Sequence, residues 1–330
     1  MNAPAAPGLP TRFADWFAGR GWAPHPHQLE MLAAVQDGRD ALLIAPTGAG
    51  KTLAGFLPSL IGLAGRGSLE RDFGGLHTLY ISPLKALAVD IARNLEAPVR
   101  EMALDISCET RTGDTPHAKR TRQRRRPPDI LMTTPESLSL LLTYADASRL
   151  FGRLRCLIVD ELHALMPSKR GDLLALAMAR LATLAPEARR IGLSATVHDE
   201  AAARRWLAAD AEGEEVRIVR APPGADPDIA IVDSEARIPW SGHMALHALP
   251  AVYEKIRAHR TTLVFVNTRG QAEIVFRQLW RMNDDGLAIA LHHGSLEREQ
   301  RRKVEAAMAR GALRAVVCTS SLDLGIDWGD

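Results

Sequence analysis

The chain has 330 residues, room for two compact domains of ordinary size. Apolar residues make up 46% and charged residues 24%, a globular balance that excludes a disordered chain; aromatics at 5% exclude an aromatic-rich surface for single strands. The net charge of +2, from 41 Lys+Arg against 39 Asp+Glu, names no polyanionic partner, so any grip on nucleic acid must come from backbone contacts and local charge.

The three cysteines, Cys108, Cys156 and Cys318, are too few and too far apart for a disulfide framework or a zinc site. Cys156 and Cys318 fall in runs that read as buried strands. No apolar stretch approaches the ~18 residues that span a bilayer. Residues 1–7 have neither the basic start nor the apolar run of a signal peptide, so a cytoplasmic protein without membrane contact is expected.

Taken in chain order, short apolar runs alternate with helix-length amphipathic segments, which predicts α/β architecture with parallel sheets covered on both faces. The first strand, Ala41–Ala45, runs into Ala-Pro-Thr-Gly-Ala-Gly-Lys-Thr at 45–52, and a helical pattern follows over Thr52–Leu63. That is the setting of a phosphate-binding loop. Gly48 and Gly50 permit the torsions that turn the N–H groups of Thr47 through Lys51, Ala49 among them, toward phosphate oxygens. Lys51 reaches the β- and γ-phosphates, the Thr52 hydroxyl is placed to ligate Mg2+, and the helix start adds partial positive charge. Ala45 stands where the general rule has glycine.

Next come a strand at Leu76–Ile81, then Ser82–Leu87 opening a helix at Lys85–Leu95. After Arg111–Thr115 lies a run, 117–126, with six Lys/Arg and no acid. Such a run is either a solvated face or a source of nonspecific phosphate attraction, with Arg124, Arg125 and Arg126 offering up to three contacts. A strand at Ile130–Met132 precedes Thr133–Glu136, another helix start. Small hydroxyl residues at helix starts suit phosphate contacts, although Ser82 or Thr134 alone would be an ordinary N-cap. The strand Cys156–Val159 ends in Asp160 and Glu161, the carboxylate pair that a Mg2+–nucleotide site needs: Asp160 for the metal, Glu161 for the attacking water. His163 follows, without the spacing of a zinc motif. A helix at Leu173–Leu184 and a strand at Arg190–Leu193 lead to Ser194, Ala195 and Thr196.

Prolines and glycines punctuate 220–242, so the expected division is a first domain at 1–219, a linker at 220–245 and a second domain at 246–330. The second domain shows strands at Thr262–Val266, Leu287–Leu291 and Ala315–Cys318, with helices at Gln271–Trp280 and Leu296–Ala309.

Asp160-Glu161-Leu162-His163 resembles the DEXH box of superfamily 2 helicases, and Ser194-Ala195-Thr196 resembles the motif that couples hydrolysis to strand movement. Pro24 to Gln28 is similar to the adenine-reading Q motif at a different spacing; there Gln28 would bond the base. The resemblance implies two RecA-like domains of P-loop NTPase type, the second incomplete. It assigns the catalytic roles to Lys51, Asp160, Glu161 and His163. It places Ser82, Lys85, Arg111 and Thr134 on the nucleic-acid backbone, joined by Thr268 and Arg269 near Phe265 and by Thr319. Gly325 and Asp327, in Thr319–Asp327, would face the nucleotide.

The finer similarity, over Gly21–Gln28, Ile44–Thr52, Ser82–Leu87 and Val159–His163, is to the large helicase-related (Lhr) group, and within it to bacterial ligase-associated DEXH-box helicases of the DNA damage response. That implies an ATP- and Mg2+-dependent motor moving 3′-to-5′ on single-stranded DNA, unwinding duplexes and RNA–DNA hybrids, with a repair ligase or nuclease as partner. A helicase specific for RNA is the other reading. No counterpart of the arginines that complete the ATP site precedes Asp330, so a fragment that binds ATP and nucleic acid without turnover is also expected.

Overall fold

The computed structural model describes residues 9–66, 75–208, 216–224, 226–232, 240, 245–319 and 322. The chain divides after Gly224 into two compact units, each with its own parallel sheet.

The first unit opens with α1 (Thr11–Gly19) and α2 (Pro26–Gln36), followed by β1 (Ala41–Ile44), α3 (Lys51–Ala64), β2 (Thr78–Ile81), α4 (Lys85–Glu101), β3 (Cys108–Arg111) and α5 (His117–Arg125). Then come β4 (Ile130–Thr133), α6 (Pro135–Leu142), α7 (Ala147–Phe151), β5 (Cys156–Val159), α8 (Leu162–Leu165), α9 (Lys169–Leu184), β6 (Arg189–Ser194), α10 (Glu200–Leu207) and β7 (Arg217–Arg220). The seven strands lie in the order β3-β4-β2-β5-β6-β1-β7, every neighbouring pair parallel.

The inner strands are apolar at most positions because both faces are covered. Leu43, Tyr80, Met132 and Ile158 point into one core with Phe13 of α1, Met31 of α2 and Phe56 of α3. Leu42, Leu79, Leu157 and Val159 point into the other with Leu138 of α6, Leu174 of α9 and Leu207 of α10. The register pairs Ile44 with Ser194, Gly192 with Val159, Val159 with Ile81, and Ile81 with Thr133. The loops that follow β1, β6, β5, β2 and β4 therefore leave from one edge, the carboxyl edge where open α/β sheets bind their ligands.

In the second unit α11 (Leu249–Ala258), β8 (Thr262–Phe265), α12 (Arg269–Arg281), β9 (Ile289–His292), α13 (Arg298–Ala309) and β10 (Ala315–Cys318) form a parallel sheet in the order β8-β10-β9. Tyr253, Ile256, Val275 and Leu279 pack on one face against Val317; Val304 and Met308 pack on the other against Val316.

Cys156 and Cys318 are buried strand residues, while Cys108 is half-buried. No helix among the described residues is long and apolar enough to cross a membrane. Two strands differ from the sequence reading. Cys-Glu-Thr-Arg (β3) and Arg-Ile-Val-Arg (β7) carry polar ends because they sit at the sheet margins, where only part of each strand is covered. The arginine run is also a helix, α5, held by partners described below.

Candidate nucleotide and nucleic-acid site

The phosphate loop lies between β1 and α3. Gly48 and Gly50 hold φ of 80° and 73°, left-handed values that favour glycine. A Cβ on Gly50 would also stand 2.7 Å from Gln28 Nε2, so this position is closed to side chains twice over. Lys51 is buried and its Nζ donates to the Ala45 carbonyl at 2.9 Å. Thr47 is exposed and Thr52 half-buried.

Helix α2 braces this loop. Gln28 Oε1 accepts from the His25 N–H at 2.9 Å, while its Nε2 lies 3.4 Å from the Gly50 carbonyl. Gln28 is thus both an N-terminal cap and a contact of the loop, and its second amide N–H remains for a ligand. His27 was not singled out in the sequence. Its Nε2 donates to the Ala49 carbonyl at 2.8 Å, its ring stacks on His25 at 5.2 Å, and its buried Nδ1 has no partner. Burial holds the His27 pKa below the usual histidine value. A buried, charge-averse imidazole beside glycines with open backbone is a surface suited to a nucleotide.

Asp160 and Glu161 follow β5, on the same edge, and both are buried. Glu161 takes a left-handed backbone, φ 49° and ψ 47°, which costs a non-glycine residue ~1–2 kcal/mol. The Asp160 Oδ1, accepting the Glu161 N–H at 2.8 Å, holds that turn. Asp160 Oδ2 accepts a short hydrogen bond from the Tyr80 hydroxyl, whose ring stacks on Phe56 of α3 at 5.2 Å. Tyr80 looks like core in the sequence; the only signal was a phenol in an otherwise aliphatic buried strand, which must find an acceptor. Burial first, then the Glu161 charge, push Asp160 up to about 6, and burial raises Glu161 too, with Lys51 opposing both.

Two buried carboxylates against one ammonium leave a deficit of positive charge that fits a divalent cation. No group of three or more His, Cys, Asp or Glu residues gathers among the described residues. Few protein ligands and ligand-borne phosphates is the usual way in which Mg2+ is held, and Asp160 and Thr52 are the residues here that could hold it.

Glu161 and β6 are linked through His163. Its Nε2 lies 3.5 Å from Glu161 Oε2 and its Nδ1 lies 3.0 Å from Ser194 Oγ. Ser194 Oγ donates its single proton to the Thr196 carbonyl at 2.7 Å, so His163 Nδ1 is the donor to Ser194.

The nucleic-acid candidates occupy the other half of the edge. Ser82 and Thr134 are buried, and their hydroxyls bond inside the chain, to the Leu84 backbone and to Ser137 Oγ at 3.3 Å. Yet neither α4 nor α6 has a side-chain cap on its first N–H groups, whereas Ser168 caps α9 and Asp199 caps α10. Helix starts without an N-cap side chain present backbone N–H groups as donors. Arg170 of α9, unremarked in the sequence, spans both: it donates to the Pro83 carbonyl at 2.7 Å and forks onto the Glu136 carboxylate.

The cationic candidates have partners within the chain. Arg111 is buried beneath α5, donating to the Arg120 carbonyl at 2.9 Å, and Lys85 pairs with Asp114 at 3.0 Å. In α5, Arg122 pairs with Glu109 at 2.6 Å; Arg124 pairs with Asp146 at 2.7 Å and lies 3.9 Å over the Tyr144 ring. Arg124 is a structural clamp, which leaves Arg125 and Arg126 exposed without an ion pair among the described residues.

In the second unit, Thr268 caps α12 by accepting the Gln271 N–H at 3.2 Å, and Arg269 donates to Ser295 Oγ. The Thr319 N–H donates to the His292 carbonyl at 3.3 Å, so these residues share the carboxyl edge of the smaller sheet. Gly325 and Asp327 lie outside the described residues.

The sequence is 36% identical to the Lhr helicase/probable uracil glycosylase of Mycolicibacterium smegmatis over 96% of this chain and 24% of that protein. It is 40% identical to the ATP-dependent helicase Lhr-Core of Methanothermobacter thermautotrophicus over 89% of this chain and 36% of that protein. The fold superposes on the solved structure of the Mycobacterium smegmatis helicase Lhr bound to ssDNA and AMP-PNP with a TM-score of 0.81 at 38% identity, over 97% of this chain and 42% of that one. The chain thus spans from about a quarter to two-fifths of the length of these relatives. The DEAD/DEAH box helicase pattern matches residues 25–204, from the brace of the phosphate loop through the His163–Ser194 link, and the helicase conserved C-terminal domain matches 244–330. With the site's geometry and the sequence pattern in agreement, the chain belongs to the DEAD/DEAH box helicases, and its relatives within them include Lhr helicases.

Proposed function

We propose that the chain is the ATP-driven motor of a helicase that moves on single-stranded DNA. The contact path Glu161–His163–Ser194–Thr196 carries this reading, because it joins the carboxylate suited to activating water to the end of a strand on the same edge as the backbone-binding loops. In this reading Lys51 and the N–H groups of Thr47–Thr52 hold the phosphates, and Gln28 and His27 face the base. Asp160 and Thr52 would hold Mg2+, which when bound would neutralise charge on the phosphates. Glu161 orients and deprotonates water, and His163 passes the state of that carboxylate to Ser194. The uncapped starts of α4 and α6, near Ser82, Lys85 and Thr134, donate N–H groups to the sugar–phosphate backbone, with Thr268, Arg269 and Thr319 serving the second unit.

DNA rather than RNA is favoured by the solved Lhr structure, which holds ssDNA. Unwinding of RNA–DNA hybrids, a role in DNA repair, a ligase or nuclease partner and a cytoplasmic location rest on the family resemblance. The test is ATP hydrolysis with and without single-stranded DNA, in the natural protein and in Glu161→Gln. DNA-stimulated turnover is expected in the first; retained ATP binding with turnover reduced at least ~100-fold is expected in the second. Full hydrolysis in Glu161→Gln would overturn the assignment of the base.

A further inference from the structure

At the far margin of the first sheet a cleft of about 480 Å³ opens beside β7. Its wall carries four arginines, Arg39, Arg204, Arg217 and Arg220, with a single acid, Glu30. Arg217 pairs with Glu30 at 2.8 Å and Arg220 with Glu200. Both pairs are largely exposed, where such contacts contribute under ~1 kcal/mol and yield readily to a competing anion. Arg39, exposed, and Arg204, half-buried, have no carboxylate partner among the described residues. Among the described residues, four guanidinium groups against two carboxylates make the cleft positive, on a chain whose total charge is only +2.

From this we infer a second binding site for a nucleic-acid phosphodiester backbone along β7, separate from the loops at the ends of β2 and β4. The inference rests on the proposed function, since it adds backbone contacts to a nucleic-acid motor. Three features favour a polynucleotide over a small phosphorylated molecule. Among the described residues no aromatic side chain lines the cleft, and Val216 and Ile218 are its only apolar residues, so the lining offers charge and no platform for a base. Arg217 points to the sheet face of α2, where it meets Glu30, and Arg220 to the face of α10, where it meets Glu200, so the guanidinium groups flank the sheet margin from both sides and offer separate contacts to an extended chain of phosphates and not one convergent pocket. Arginine, planar and five times a donor, suits phosphate oxygens better than a point charge does.

The position is informative too. β7 is one margin of the sheet, four strand spacings from β2 and five from β4, or ~19–24 Å from the proposed track. A short oligonucleotide on that track cannot reach β7, whereas a long one can. The competing explanation is that Arg217 and Arg220 merely guard an exposed edge strand against pairing with other chains.

Binding of oligothymidylates of about 4 and about 30 nucleotides, lengths chosen against that ~19–24 Å separation, is measured across a salt series. The proteins are the natural chain, Arg39→Gln/Arg204→Gln, and Glu30→Gln. For the long oligonucleotide, the double variant is expected to reduce the log–log salt slope by about 1.4, two contacts at ~0.7 each, while Glu30→Gln tightens binding. The short oligonucleotide should bind all three alike. An unchanged slope for the long oligonucleotide would overturn the site and leave the edge-guard explanation. Equal losses for both lengths would also overturn it, by placing the effect on the main track. If the natural protein binds neither oligonucleotide, the proposed function fails as well; if it binds both and the variants follow it, this inference fails alone.

Discussion

His77 precedes β2 at the amino edge of the first sheet, far from the candidate site along the strand, and it is 8% exposed. Its Nδ1 lies 2.8 Å from Thr78 Oγ1, and its ring faces the backbone of Gly62 in α3. Burial, helped by the charges of Arg66 and Arg155 and opposed by Asp129, lowers its pKa to about 4. In the unfolded chain it titrates near ~6.5. The unfolded state therefore takes up the proton first as pH falls, and acid favours unfolding. The contribution is present in full above ~6.5 and is lost as pH falls from there toward 4. The gap of ~2.5 units amounts to about 3 kcal/mol when complete, of which about 2 kcal/mol is lost between pH 7 and pH 5. His77→Asn keeps a polar atom near Thr78 and removes the titration. Urea unfolding of the first unit, followed by Trp16 and Trp22 fluorescence at pH 7 and pH 5, compares the two proteins. The natural protein should lose about 2 kcal/mol more than the variant over that interval. The same pH dependence in both would show that His77 titrates normally and that its burial has been misjudged.

Tyr80→Phe removes the donor that holds Asp160 and leaves a buried carboxylate oxygen unpaired, a loss of ~1.5–3 kcal/mol for a hydrogen bond to a charged group. If that bond orients the metal-binding oxygen, Mg2+-dependent ATP binding weakens by ~10-fold or more, and unchanged affinity would make Tyr80 a core residue only. Arg170→Ala should weaken single-strand binding while leaving ATP affinity intact, since Arg170 ties Pro83 to Glu136 and touches neither the phosphate loop nor Asp160. Loss of both activities together would indicate a folding defect instead. Arg124→Gln should lower stability by ~1 kcal/mol, from its ring stacking and ion pair, with little change in the salt dependence of DNA binding. Arg125→Gln/Arg126→Gln should do the reverse, reducing the salt slope by about 1.4 at unchanged stability; equal effects from the two variants would refute the separation.

Local order along the chain determined much of this protein. A phosphate loop, a carboxylate pair after an apolar strand and hydroxyl-bearing helix starts each depend on spacing within a few residues, because the chemistry is carried by one turn and the start of one helix. So Lys51, Asp160 and Glu161 are legible in the sequence by itself, as is the parallel α/β class, whose apolar strands alternate with amphipathic helices. Contacts between distant segments are not legible there. Tyr80 meets Asp160 and Arg170 meets Pro83 across 80 and 87 positions, and nothing at either end of such a pair announces the other. The arginine run shows the limit most clearly: composition presents six equivalent cations, and only packing separates Arg124, locked between Asp146 and Tyr144, from Arg125 and Arg126. The same holds for the cleft at β7, since its arginines come from the connection between α2 and β1, from the two ends of β7 and from α10, segments joined by strand order and not by sequence. Spacing within one turn is written in the chain; which side chains share a desolvated space follows from how sheets and helices stack, and that is decided only when the whole core forms.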